Sequence, residues 1–232
     1  MAYSSIIKPQ DYFNTKLYTG NGSTNAQTGV GFQPDMVWIK SRTNNSDHVI
    51  TDAVRGVTKE IRPNKTDYED TASNGLTTFG TDGFTVGDWT VVNLNSETYA
   101  SWNWKANGSG SSNTDGSITS TVSVNTTSGV SIVKYTNQNV NTIGHGLGVV
   151  PKVLIGKCLS GAGAWAVASA DILGSWDKYV QLQSTSASAT ESRFFYPSSA
   201  APTSSVFSSD QSVWSAGGSA TENMICYAFA EK

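Results

Sequence analysis

His48 and His145 are the only two imidazoles in the 232-residue chain, and neither has a partner at a metal-ligand spacing such as His-x-x-x-His with a carboxylate nearby. His145 stands in the turn Gly144-His145-Gly146 and His48 opens an apolar run, so both read as surface or turn residues rather than general bases. The richest carboxylate cluster is Asp67-Tyr68-Glu69-Asp70. Two carboxylates flanking a glycosidic bond can cleave it, but this group lies among Asn64, Lys65, Thr66 and Asn74-Gly75, which predicts a solvated loop. Calcium takes such oxygens, yet no EF-hand-like spacing occurs. The chain has no Gly-x-Ser-x-Gly elbow, phosphate loop or dinucleotide fingerprint. Cys158 and Cys226 are too few for a disulfide framework and stand in apolar surroundings, as reduced core residues do. The expectation is a binding protein and not an enzyme, with no cofactor and no metal site assigned. Recognition would then fall to exposed rings, with Tyr68, Trp89, Trp165, Trp176 and Trp214 as candidates and Asn and Asp side chains to hydrogen-bond hydroxyls.

The composition limits what can position such residues. Charged residues are 14% of the chain, against about 25% in typical domains, and Ser, Thr, Asn and Gly take their place. Aromatic content of 10% and a net charge of −3 argue against disorder. Short polar side chains suit turns and the solvated faces of strands, so the expectation is all-β. A pI near 5.3 without a Lys/Arg cluster argues against nucleic acid. The opening residues Met1 to Pro9 lack a basic segment followed by a long apolar run, and no stretch reaches the roughly 18 apolar residues that span a bilayer. A soluble protein made without a signal peptide, with no membrane insertion, is expected.

An internal repeat organises the chain. Tyr18-Thr19 is matched by Tyr135-Thr136, Pro34 by Pro151 and Lys40 by Lys157, all at an offset of 117. Phe84 pairs with Phe207, and Glu97 to Trp104 pairs with Glu222 to Phe229 at an offset of 125, so about eight residues are added in the middle of the second copy, as a surface loop tolerates. Between the copies, residues 108–116 are Gly/Ser-rich and without an apolar side chain, which predicts a flexible linker. The division is residues 1–107, the linker 108–116, and residues 117–232.

Each half reads as short apolar runs between Gly, Asn, Asp, Ser and Pro, the pattern of antiparallel sheets in a β-sandwich. Strands are expected at residues 16–19, 36–41, 48–50, 83–86 and 98–105, then at 118–124, 130–136, 152–157, 164–168, 178–183, 206–208 and 223–230. A helical turn fits residues 52–57 or 170–173. In the last strand of each half large and small side chains alternate. That alternation predicts Trp102 and Trp104, and Tyr227 and Phe229, on the core side of each sandwich, with Trp38, Phe84, Ile155 and Phe207 as further core residues.

The strings Gly31-Phe32-Gln33-Pro34-Asp35-Met36-Val37-Trp38-Ile39-Lys40-Ser41-Arg42, Asp52-Ala53-Val54-Arg55-Gly56-Val57-Thr58-Lys59, Asp82-Gly83-Phe84-Thr85-Val86-Gly87 and Tyr99-Ala100-Ser101-Trp102-Asn103-Trp104-Lys105-Ala106 resemble a module that recurs in tail and virion proteins of tailed phages, many of them marine. The lead-in Lys8 to Thr15 is similar too, and Gly144 to Lys152 with Cys226 to Lys232 looks like a diverged copy, lacking the Asp-Ala-Val-Arg-Gly segment. The resemblance spans nearly the whole chain. It implies two tandem concanavalin-like jelly-roll sandwiches, and a virion structural protein, made in the host cytoplasm, that serves as a tail fibre or tail-associated adhesin in host attachment. A capsid-decorating or head-fibre protein is the alternative, and a glycan-degrading enzyme the lesser one; the sequence does not separate the first two. The implied partners are copies of itself, as a homotrimer in a fibre, other virion proteins, and a host-surface glycan. Residues 1–107 carry nine Lys/Arg and eleven Asp/Glu and residues 117–232 six of each, so neither half has a field to steer a charged ligand.

Overall fold

The structure, a computed structural model, describes residue 6, residues 8–214 and residues 221–232. In chain order its strands and helices are β1 (Phe13–Thr19), β2 (Asn25–Thr28), β3 (Met36–Ser41), β4 (Val49–Asp52), β5 (Lys59–Glu60), β6 (Asp70–Thr71), β7 (Leu76–Gly80), β8 (Gly83–Val86), α1 (Thr90–Asn93), β9 (Thr98–Trp104) and β10 (Ser111–Asn113). There follow β11 (Ser120–Asn125), β12 (Val130–Asn137), β13 (Val140–Gly144), β14 (Val153–Cys158), β15 (Ala166–Ala168), α2 (Ala170–Leu173), β16 (Lys178–Tyr179), β17 (Ala189–Thr190), β18 (Val206–Asp210) and β19 (Glu222–Phe229). The fold is all-β, in several antiparallel sheets.

In the first half, one sheet has the order β1-β9-β3-β4 and a second β2-β8-β7. In the second half the order is β10-β11-β12-β19-β14-β15, with a separate β13-β18 pair. Putting β12 for β1, β19 for β9, β14 for β3 and β15 for β4 turns the first order into the last four strands of the second, to which β10 and β11 are added at one edge. The registers match as well. Trp104 pairs with Phe13 and Met36, and Phe229 pairs with Val130 and Val153, at the spacings of 117 and 125 found in the sequence. Tyr18 meets Phe84 edge-on at 6.1 Å, and Tyr135 meets Phe207 at 5.8 Å.

The faces of the large sheets differ from expectation. Along β9 it is Tyr99, Ser101 and Asn103 that are buried, while Trp102 and Trp104 are partly open. By register, Tyr99 shares its face with Tyr18, Val37, Ile39 and Val49, and these form the first core with Leu76, Phe84 and Val86. Trp38, Trp102 and Trp104 lie on the opposite face. The strand phase inferred from alternation is therefore reversed in β9. Alternation shows that the rings share a face, but not which face is the core, and here a second apolar layer covers the other side. The small inner-face residues tie down their neighbours instead: Asn103 Nδ2 donates to Asn14 O at 3.0 Å. In β19 both faces are buried, with Met224, Cys226 and Ala228 in the second core and Ile225, Tyr227 and Phe229 on the outer face. Phe84 and Phe207 are fully enclosed, as expected.

The outer faces meet. Met36, Ile50, Ile61 and Ala106 from the first half pack with Ile132, Leu159, Trp165, Ile225 and Tyr227 from the second, flanked by Trp38, Trp104, Ile155 and Phe229. Hydrogen bonds cross this seam from Tyr227 Oη to Asp52 Oδ2 (2.7 Å), Trp165 Nε1 to Arg62 O (3.0 Å) and Gly163 N to Thr66 O (2.9 Å). The stretch 108–116, expected to be a flexible linker, contains β10, which pairs with β11 at the edge of the large sheet. Its approach is pinned by the Asp35 carboxylate, which accepts from Ala106 N at 2.6 Å and Gly108 N at 3.1 Å. A backbone that can join a sheet edge does so even with Ser and Asn side chains, because its hydrogen bonds are made by the main chain.

Candidate functional site

Trp102 on β9 stands directly opposite Trp38 on β3, with ring centroids 6.2 Å apart at 70°. Trp104 follows two residues along the same face, and Phe13 packs against its ring at 4.9 Å. His48, one residue before β4, closes the group: Trp38 Nε1 donates to His48 Nδ1 at 2.9 Å, with the rings edge to face at 5.8 Å. Trp38, His48, Trp102 and Trp104 line an apolar cleft of about 210 Å³. A smaller recess of about 100 Å³ adjoins it, lined by Trp38, His48, Pro63, Asn64 and Leu182, the last from the second half of the chain. All three tryptophans are half-buried, and Leu17, one rung further along β1, is 58% exposed.

His48 is locked from behind. Its backbone N–H donates to Asn64 Oδ1 (3.0 Å), Asn64 Nδ2 donates to Asp47 Oδ1 (2.8 Å), and Asp47 pairs with Lys65 at 2.8 Å. An indole N–H can only donate, so Nδ1 must accept and the proton of neutral His48 sits on Nε2. That nitrogen makes no hydrogen bond among the described residues. Burial holds the His48 pKa below its ordinary value, and Lys40 adds to the effect, so the ring is neutral near pH 7.

A polar recess of about 260 Å³ is lined by Glu60, Arg62, Asp67, Tyr68 and Asp70. Glu60 on β5 pairs with Asp70 on β6. Burial pushes the Glu60 carboxyl up, while the Arg62 guanidinium counters by donating to it from Nη2 at 2.7 Å and from Nε at 3.1 Å. Arg62 also faces Asp47 (3.7 Å) and Asp67 (4.0 Å), and Glu69 faces Arg55 (3.4 Å) and Lys59 (4.0 Å). Asp67 and Glu69 thus have cations against them, and the Arg62 guanidinium occupies Glu60. Among the described residues no cluster of three or more His, Cys, Asp or Glu side chains is arranged to hold a metal ion.

The candidate rings fare unequally. Tyr68 is exposed. Trp165 and Trp214 are not surface residues at all: each is fully buried, and their indole N–H groups donate to Arg62 O and to Ser209 Oγ. Trp214 is wedged edge-on between Phe194 and Phe195, and Trp165 plugs the seam. Trp89 and Trp176 are half-buried against the first and second cores, with Arg62 Cζ 5.9 Å from the Trp89 ring centre. Trp38, Trp102 and Trp104, by contrast, are expected in the core and instead line the cleft, together with His48, which is expected at the surface or in a turn. His145 is fully buried, between Leu147 N and Thr203 O. Only the strand phase could have exposed the cleft in the sequence, and that phase depends on what covers the far side of the sheet.

The Asp-Ala-Val-Arg-Gly segment, present only in the first half, is a buried electrostatic lock. Asp52 Oδ1 accepts from Val54 N and Arg55 N, and Asp52 Oδ2 takes Arg55 Nε at 2.6 Å and Tyr227 Oη at 2.7 Å. Arg55 Nη2 donates to Ile50 O at 2.9 Å. No curated protein and no solved structure matches the chain. One family model matches, over residues 8–232, and the chain therefore belongs to the family described as a domain of unknown function, DUF7483.

Proposed function

We propose that this chain is a non-catalytic structural protein of a tailed-bacteriophage virion, a tail fibre or tail-associated adhesin that contributes to host attachment, built from two tandem jelly-roll sandwiches. The observation that carries the binding part of this reading is the tryptophan cleft, since partly exposed rings that line a concavity on a sheet face offer a recognition surface. The recurring strand order supports the tandem copies. The virion assignment rests on the residue strings from Gly31 to Ala106 and their diverged second copies. A non-catalytic role is supported by the acidic recess, where Arg62 occupies Glu60, the most buried carboxylate of its lining.

Copies of the chain, other virion proteins and a host-surface glycan are the partners in this reading, with the virion surface as its location. A homotrimer suits a fibre, because several weak sites held together raise avidity by about 10² to 10⁴ when they can be engaged at once. Locating the chain in a whole-virion reconstruction tests the assignment, and mass measurement on the purified protein tests the assembly. Density at the tail or fibre with three copies per fibre is expected. A chain missing from the virion would sink the assignment, and a stable monomer placed as isolated single copies would sink the trimer.

A further inference from the structure

We propose that the cleft of Trp38, Trp102, Trp104 and His48 is a subsite for one unit of a neutral saccharide, which deepens the attachment reading by naming the ligand class and the residues. The first argument is shape. Trp38 and Trp102 stand nearly perpendicular, so one ring makes a floor and the other a wall. The face of an aromatic ring is electron-rich, and the axial C–H bonds of a sugar ring present a weakly positive apolar face that fits it.

Size is the second argument. Sites for drug-sized ligands run from about 300 to 1,000 Å³, and a cleft of about 210 Å³ is smaller, enough for a single ring with its neighbours extending into solvent. A second copy of the chain is the competing occupant. A stable protein interface buries about 800 Å² on each partner, and four side chains around a small concavity do not offer that area.

Charge is the third. The charges that act on His48 are Lys40 and Asp47, which have opposite signs; Lys40 Nζ is held by Ser41 O and Asn44 O, and Asp47 by Lys65. These two opposed charges give His48 no preference for an anion or a cation, and the cleft lining is almost wholly apolar. His48 borders both the cleft and the smaller recess, and its Nε2–H is fixed as a donor because Nδ1 accepts from Trp38. A fixed donor beside apolar rings orients a hydroxyl without requiring charge.

The experiment uses the full chain and follows its indole N–H signals by NMR during titration with maltohexaose, cellohexaose and hexa-N-acetylchitohexaose, with polygalacturonate as the anionic control. Saturable shifts of the Trp38, Trp102 and Trp104 signals with at least one neutral oligosaccharide are expected, while the buried Trp165 and Trp214 signals stay in place. Trp102→Ala should weaken that binding by about tenfold or more, and Trp102→Phe by less, because a flat ring remains. Trp102→Leu keeps apolar volume without the ring, and its loss of binding with an unchanged spectrum elsewhere separates stacking from folding. No shift with any neutral probe at millimolar concentration, equal binding by Trp102→Leu, or preference for polygalacturonate would overturn the proposal. So would cleft signals that move with protein concentration alone, since the occupant would then be a second copy. Failure here leaves a tail location untouched, and absence from the virion leaves saccharide binding untouched.

Discussion

Arg55 and Asp52 carry opposite charges into a place that water does not reach, with side chains fully enclosed on both sides. Removing one partner of such a pair strands the other, at a cost of about 3 to 5 kcal/mol. Arg55→Met should therefore lower stability by that amount in urea unfolding. Tyr227→Phe, which removes one donor while leaving the ion pair, should cost only about 1 to 3 kcal/mol. Equal losses from the two variants would mean that the tyrosine, not the arginine, holds the carboxylate. The two histidines set a pH dependence. Burial lowers the pKa of both His48 and His145 from the ordinary 6.5. In the window between 6.5 and the lower native values the unfolded chain binds more protons than the folded one, so stability present above that window is lost as pH falls through it. His145→Gln should flatten part of that slope in unfolding series run across the window, and an unchanged slope would exclude His145 as its source. The Asp52 to Arg55 turn could be seen in the sequence as a segment that one half has and the other lacks. Its closing partner could not, because Tyr227 lies 175 positions from Asp52 along the chain.

At the level of strands, the recurring order was legible because pairing in a sheet preserves register: Trp104–Met36 and Phe229–Val153 occupy equivalent pairs although the chain between them is eight residues longer in the second half. Among the strands the sequence did not suggest are β2, β7 and β13, which carry Asn, Thr or Gly and pair through their main chains. One glycine on β8 shows how closely the small sheet is built. Gly83 adopts φ +151, and a Cβ there would run into the carbonyl of Gln27 on the paired strand. Gly83→Ala should cost more than about 1 kcal/mol, since both the backbone conformation and the space forbid a side chain. Gly108, also at positive φ but with open space around it, should accept alanine at a smaller cost. The pair of variants, compared by thermal melting, separates steric exclusion from backbone preference. Similar losses would show that conformation alone decides.

For the molecule as a whole, the seam changes what the two halves are. Domains that fold alone keep their apolar residues on their own side of a linker, whereas here Met36, Ile50 and Ile61 are buried by Ile132, Leu159, Trp165 and Ile225 from the other half. Freed from its partner, the first half would present Met36, Trp38, Ile50, Ile61 and Trp104 to water on one sheet face, a contiguous apolar patch of the kind that drives association. Burying Asp52 and Arg55 depends on the same contact, because Tyr227 supplies part of the cover. The full chain should therefore unfold in one cooperative transition, seen alike by tryptophan fluorescence and by backbone circular dichroism. Residues 8–107 produced alone should be associated or markedly less stable, and mixing them with residues 108–232 should restore the intact chain's midpoint in part. Two separate transitions in the full chain, with each isolated half melting where it melts in the whole, would show that the seam is a contact between independent domains and that the cleft beside it can open without unfolding either one.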